Sequence, residues 1–163
     1  MKKILFTLCA FVFAFILVSC SKSNDYRDDL PCSEIARAVC DEADVDGGYS
    51  AYEKEHIAFL FENTNLYNDC CVMYSTEVTD INEIGVFHCE NKDNAKSLAE
   101  TVSEYLTDMQ TEQKAFIESY APRELPKLKS AEVREYGNYV IYLIMNDEDK
   151  EDAIEEIVEK LKK

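Results

Sequence analysis

The chain has 163 residues, of which 33 are Asp or Glu and 17 are Lys or Arg, for a formal charge of −16 at pH 7. A surface of that sign repels phosphates, which excludes nucleic acid as a partner, and it repels anionic lipid headgroups within a Debye length of about 8 Å at physiological salt. The length suits one domain with a genuine core and is too short for two comfortable ones once an N-terminal segment is set aside.

That segment comes first. Lys2 and Lys3 precede an apolar run over 4–18 that ends in Leu17-Val18-Ser19-Cys20. The basic pair stays on the cytoplasmic side, the run enters the bilayer, and small residues ahead of Cys20 let a peptidase reach the backbone. Residues 1–19 therefore read as a lipoprotein signal peptide, with Cys20 as the new N-terminus and the lipid attachment site. The 15-residue run is shorter than the ~20 residues of a spanning helix, so the chain is expected to be lipid-anchored on the extracytoplasmic face of the cell membrane. Lys2 and Lys3 leave with the signal, and the chain from Cys20 onward then carries 33 acidic against 15 basic residues, a charge of −18. Such acidity reads as solubility outside the cell, and more sharply as attraction of a basic protein partner. Beyond Cys9 and Cys20 five cysteines remain: Cys32, Cys40, Cys70, Cys71 and Cys89. The number is odd, so at least one thiol is free or paired between molecules.

Residues 20–30 are polar and aperiodic, a flexible tether. Pro31 opens a helix over 31–44, where Ile35, Ala36, Val39, Cys40 and Ala43 recur at helical spacing and make Cys40 a core thiol. Gly47-Gly48 break it, and a second short helix is expected over 51–62 through Ile57, Leu60 and Phe61. Stretches 69–75 and 83–90 read as a hairpin, with Thr76 facing Glu83, Cys70 facing Cys89, Cys71 facing His88 and Val72 facing Phe87. The longest helix covers 93–120 and is stopped by Pro122. Gln113 is the one polar break in its apolar stripe, and one end is expected to overhang the sheet unless a bend near Thr111 shortens the helix. Its polar face carries Glu100, Glu104, Thr107, Asp108, Thr111, Glu112 and Glu118. A second hairpin joins 131–136 to 139–145 through Gly137-Asn138, where glycine supplies the positive φ of a two-residue turn. The 138–144 stretch is apolar at both parities after Asn138, which predicts a strand covered on both faces. Asp147 to Asp149 open a final helix with Ala153, Ile154, Ile157, Val158 and Leu161 inward, and the acidic start and basic end both complement its dipole.

Over 66–161 the pattern resembles an uncharacterised lipoprotein family, domain of unknown function 4358. The residues that carry the resemblance are Asn82-Glu83-Ile84, the long helix, Tyr120-Ala121-Pro122, Ala131-x-Val133 and Gly137-Asn138-Tyr139-Val140. It implies an exported lipoprotein with one α+β domain and implies no activity. Residues 41–55 and the vicinal Cys70-Cys71 depart from the family's simpler pattern.

His56 and His88 are the only histidines, and neither sits in G-x-S-x-G or H-E-x-x-H. Four glycines do not make a phosphate-cradling loop. His56 is expected on a solvated helix face and His88 on a half-buried strand. No catalytic, cofactor-binding or metal-ligating residue is assigned. Two constellations remain. Glu42, Asp44, Asp46, Ser50 and Glu53, with Gly47, have the spacing of a calcium-binding loop, but the first ligand is Glu where the shorter Asp fits and no second loop pairs with it, so an ordinary connection is expected. Cys70, Cys71, His88 and Cys89 converge in the predicted hairpin. They are read first as packed thiols or a 70–89 disulfide, and alternatively as a thiol-active or soft-metal site.

The resulting expectation is a single α+β domain over 31–163. It consists of a four-stranded antiparallel sheet of two hairpins, a long helix, a C-terminal helix and one or two short N-terminal helices. Its expected role is non-enzymatic binding of a ligand or partner near the membrane. The sequence leaves open the ligand, the state of the five cysteines, and the oligomeric state.

Overall fold

The structure, a computed structural model, describes residues 26–43, 48–62 and 64–163. Helix α1 (Cys32–Glu42) is followed by a short strand β1 (Tyr49–Ala51) and helix α2 (Lys54–Phe61), then by the hairpin β2 (Tyr67–Ser75) and β3 (Glu83–Cys89). Helices α3 (Lys92–Glu112), α4 (Lys114–Tyr120) and α5 (Leu125–Lys129) lead to a second hairpin, β4 (Glu132–Tyr136) and β5 (Tyr139–Ile144), and helix α6 (Asp147–Leu161) closes the chain. The strands form one antiparallel sheet in the order β1-β2-β3-β5-β4.

Helices cover the sheet on both sides. Alternation along β5 sends Tyr139, Ile141 and Leu143 into a core with α1 and α6, and Val140, Tyr142 and Ile144 into a second core with α2 and α3. All six β5 residues are buried, as the unbroken apolar run predicts. From α1 come Cys32, Ile35, Ala36 and Val39, and from α3 Ala95, Leu98, Ala99, Val102 and Leu106. The caps are local. Asn91 accepts from the Asn94 amide and Asn146 from the Asp149 amide, each at 2.9 Å, so both helices have an orphan donor satisfied. Helix α1 has no cap of its own; Asp69 of β2 accepts from the Cys32 amide at 2.8 Å instead.

Four features correct the sequence reading. The sheet has five strands rather than four: Tyr49–Ala51, expected just ahead of and at the start of a helix, pairs as an edge strand with Ser75, Tyr74 and Met73. Three residues are too short for a periodicity to declare itself. The β2–β3 register is slipped by two residues, setting Cys70 against Phe87, Cys71 against Val86 and Tyr74 against Glu83. A slip of two preserves which residues share a face, and Cys70 and Cys89 do lie on the α3 side and Cys71 on the α1 side. The helix expected over 93–120 breaks at Gln113. Along α3 the hydroxyls of Thr101, Ser103, Thr107 and Thr111 each donate back to a backbone carbonyl four residues earlier, a habit that weakens and bends helices. Finally, of the stretch read as a tether, residues 26–30 are docked. Arg27 N–H donates to Leu161 O, Tyr26 packs edge-on against Tyr136, and Asp28 accepts from Asn138. Tyr139 Oη accepts from Leu30 N at 3.0 Å and donates to Leu30 O at 2.8 Å.

That pair of buried bonds ties the strap to β5. Tyr139→Phe strips both Leu30 backbone groups of their partner and is expected to lower unfolding stability by about 1–3 kcal/mol, read by urea denaturation. A change below about 0.5 kcal/mol would show that the strap contributes nothing to the fold.

Candidate functional site

Glu83 heads β3 on the α3 side of the sheet and is 6 % exposed. A carboxyl there cannot be solvated, and three phenols from three separate parts of the chain replace the water. Tyr142 of β5 donates to Oε1 at 2.6 Å, Tyr105 of α3 to the same oxygen at 2.8 Å, and Tyr52, between β1 and α2, to Oε2 at 3.3 Å. Gly85 makes the arrangement possible. It is the cross-strand partner of Tyr142, and a Cβ there would run into the Tyr142 ring, so only glycine lets that ring lie over β3 with its hydroxyl on Glu83. Phe61 of α2 closes the cluster, with its ring centroid 4.9 Å from Tyr105 and 5.9 Å from Tyr142. Tyr52 is held between the rings of Tyr74 and His56, each 4.4 Å away.

Burial pushes the Glu83 carboxyl above its ordinary value, against the three hydroxyl donors and the nearby His56, which act to lower it. The phenols of Tyr52, Tyr105 and Tyr142 are raised in turn, chiefly by burial and then by the carboxylate they face. None of the described hydrogen-bond or ion-pair partners of Glu83 is a cation. Above the cluster, α2 and α3 leave a mainly polar groove of about 350 Å³ lined by Leu60, Thr101 and Tyr105 and by the carboxylates Glu62, Glu104 and Asp108, with the buried Phe61 at its base. Tyr105 belongs to both: it lines the groove and donates to Glu83.

The constellations singled out from sequence fare differently. The five cysteines Cys32, Cys40, Cys70, Cys71 and Cys89 are free thiols. Burial raises all of them, Cys89 to about 11 and Cys40 to about 12, which leaves little thiolate for nucleophilic or redox work. The sheet separates Cys71 from Cys70 and Cys89 by face. His88 is held at both ring nitrogens, with Nδ1 2.7 Å from Asn68 Oδ1 and Nε2 2.7 Å from Asp28 Oδ1. Among the described residues no group of three or more His, Cys, Asp or Glu is assembled to hold a metal ion. Of the calcium-type loop, Asp44, Asp46 and Gly47 lie outside the described residues; Ser50 sits in β1 and Glu53 precedes α2. Cys20 and the signal segment also lie outside them. Among the described residues no helix is long and apolar enough to cross a membrane.

Sequence reasoning missed the Glu83 cluster. Its local trace is a carboxylate heading an otherwise apolar strand, Glu83-Ile84-Gly85-Val86-Phe87, yet nothing in the spacing joins positions 52, 83, 105 and 142.

Gly85→Ala forces the Tyr142 ring off β3, and overpacking of this kind is expected to cost about 1–3 kcal/mol by urea denaturation. A neutral effect would mean that the ring does not lie over Gly85. For Glu83 the folded carboxyl titrates above the unfolded value of about 4.5, so its contribution to stability is fully present below that pH and lost as pH rises through the folded value. The isosteric Glu83→Gln lacks this titration. The stability difference between the two proteins should therefore move in favour of the Gln variant as pH rises from 4 to 8, and a difference that does not change over that range would contradict the raised carboxyl.

No curated protein and no solved structure matches this chain. One family does, over residues 44–145, a span that runs from β1 through β5 and holds every member of the Glu83 cluster while leaving α1 and α6 outside. The chain belongs to that family, described as a domain of unknown function (DUF4358).

Proposed function

We propose that this is an extracytoplasmic lipoprotein, anchored by lipid on Cys20, whose α+β domain binds a basic partner without catalysing a reaction. The anchor rests on the Lys2-Lys3 pair, the apolar run and Leu17-Val18-Ser19-Cys20. Docking of the strap favours a definite orientation under this reading. Tyr26 is six residues from Cys20, a reach of at most about 20 Å, and the strap packs at the end of the sheet formed by His88, Asn138 and Tyr139. That end would face the bilayer. The loop over 76–82, with its exposed Val78, lies at the other end with Glu83.

The observation that carries the binding role is a stripe on α3. Glu100, Glu104, Asp108 and Glu112 recur every four residues, all are exposed, and none forms an ion pair among the described residues. Like charges at that spacing weaken a helix by about 0.2–0.5 kcal/mol per pair, and the field they create attracts a cationic surface. Cys20→Ala should leave an unprocessed precursor without acyl label, and wild-type protein lacking lipid on Cys20 by mass spectrometry would refute the anchor. Photoreactive residues at positions 100, 104, 108 and 112, compared on intact cells with the same probes on α6, should capture partner preferentially from α3, and capture should weaken between low and physiological salt. Capture biased to α6, or insensitive to salt, would refute the basic partner.

A further inference from the structure

We infer that the open edge of β4 receives an extended basic segment of that partner as an added antiparallel strand, whose alternate side chains enter the cleft between β4 and α3. The inference rests on the binding role proposed above and goes beyond it by assigning a surface and a mode of docking. One observation is the backbone of the edge. Gly137-Asn138 make a two-residue turn, so Tyr136 faces Tyr139 as a hydrogen-bonded pair, and Arg134 with Ile141 and Glu132 with Leu143 follow at alternate positions. The amides and carbonyls of Val133 and Glu135 therefore point away from β5, at the end of the strand order β1-β2-β3-β5-β4. Across β5, the Cys89 amide donates to Asn138 O, as this alternation requires. Among the described residues no backbone group outside the sheet bonds to Val133 or Glu135. Free groups in such a row are a template for another strand. The other observation is a cleft of about 400 Å³ beside them, lined by Lys96, Ala99, Glu100, Ser103, Val133 and Glu135. Val133 and Glu135 thus turn their backbone groups to the edge and their side chains to the cleft. Residues paired opposite these two share their face, so incoming side chains lie over Val133 and Ala99 and reach Glu100 and Glu135. A lysine or arginine suits both, its aliphatic stem covering the apolar floor and its charged head meeting the carboxylates. Glu100 also begins the acidic stripe of α3, so the cleft continues into the charge that draws a basic surface. The same carboxylates oppose a second copy of this acidic chain.

The test uses the mature chain in detergent and a fluorescein-labelled peptide of alternating Lys and Thr, read by fluorescence anisotropy. Methyl groups on the Lys amides keep the charge but remove the donors that face β4, and should weaken binding by about tenfold or more. Methyl groups on the Thr amides, which point away from β4, should change it less than about threefold. Val133→Pro removes an outward N–H without touching the ladder to β5 and should weaken the unmodified peptide by about tenfold, with the far-ultraviolet circular dichroism unchanged. Should that variant not fold, the two methylated peptides decide alone. Equal affinities for those two peptides would overturn the added strand while leaving a basic partner in place. Failure of the unaltered chain to bind the unmodified peptide at low salt would overturn both. A dimer of the unaltered chain in analytical ultracentrifugation that Val133→Pro dissociates would give the edge to a second copy and overturn the inference as well.

Discussion

Glu83 begins a strand whose two faces are both covered by helices, and a carboxyl in that position has no solvent to hydrate it. Removing such a group from water costs far more than any single hydrophobic contact returns, unless donors are brought to it. Here they come from β5, α3 and the connection ahead of α2. Each imposes a condition on its element. Tyr142 requires glycine opposite it on β3; Tyr105 fixes which face of α3 meets the sheet; Tyr52 and Phe61 hold α2 against both. Half-satisfied polar groups inside a core are more damaging than none. The cluster therefore acts as a specification of how four elements must meet, over and above the apolar packing around it.

The two ends of the sheet divide the work. At one end the N-terminal strap is fastened by a backbone bond to α6, by the Tyr139 hydroxyl of β5 and by the contact of Asp28 with His88. At the other, Asp80 and Glu124 grip Lys127 at 2.7 and 2.6 Å and secure the long 76–82 loop against α5. Between them α3 presents its row of carboxylates outward. On the proposed reading, an anchored domain with a strap at the membrane end and an acidic helix along its flank meets a cationic partner in the space outside the bilayer. Burial raises the thiols of Cys71 and Cys89, and the pleat sends them to opposite sides of the sheet.

Much of the fold was legible along the chain because its signals are local. Alternation, helical spacing, Asn caps and the Gly137-Asn138 turn each depend on residues within a few positions of one another, so the α+β class, both hairpins and the two-sided burial of β5 follow from reading the sequence alone. The proposed export signal is a local pattern too, as is the family resemblance carried by Asn82-Glu83-Ile84 and Gly137-Asn138. Three things were decided only when the chain closed on itself. Strand β1 exists because β2 offers it an edge, which a three-residue segment has no means of announcing. The β2–β3 register depends on how much of the loop is taken up between the strands, and alternation is blind to a slip of two. The candidate site gathers Tyr52, Glu83, Tyr105 and Tyr142 from positions up to ninety residues apart, and its carboxyl is distinguished by burial, a property of the packed layers that no single residue carries.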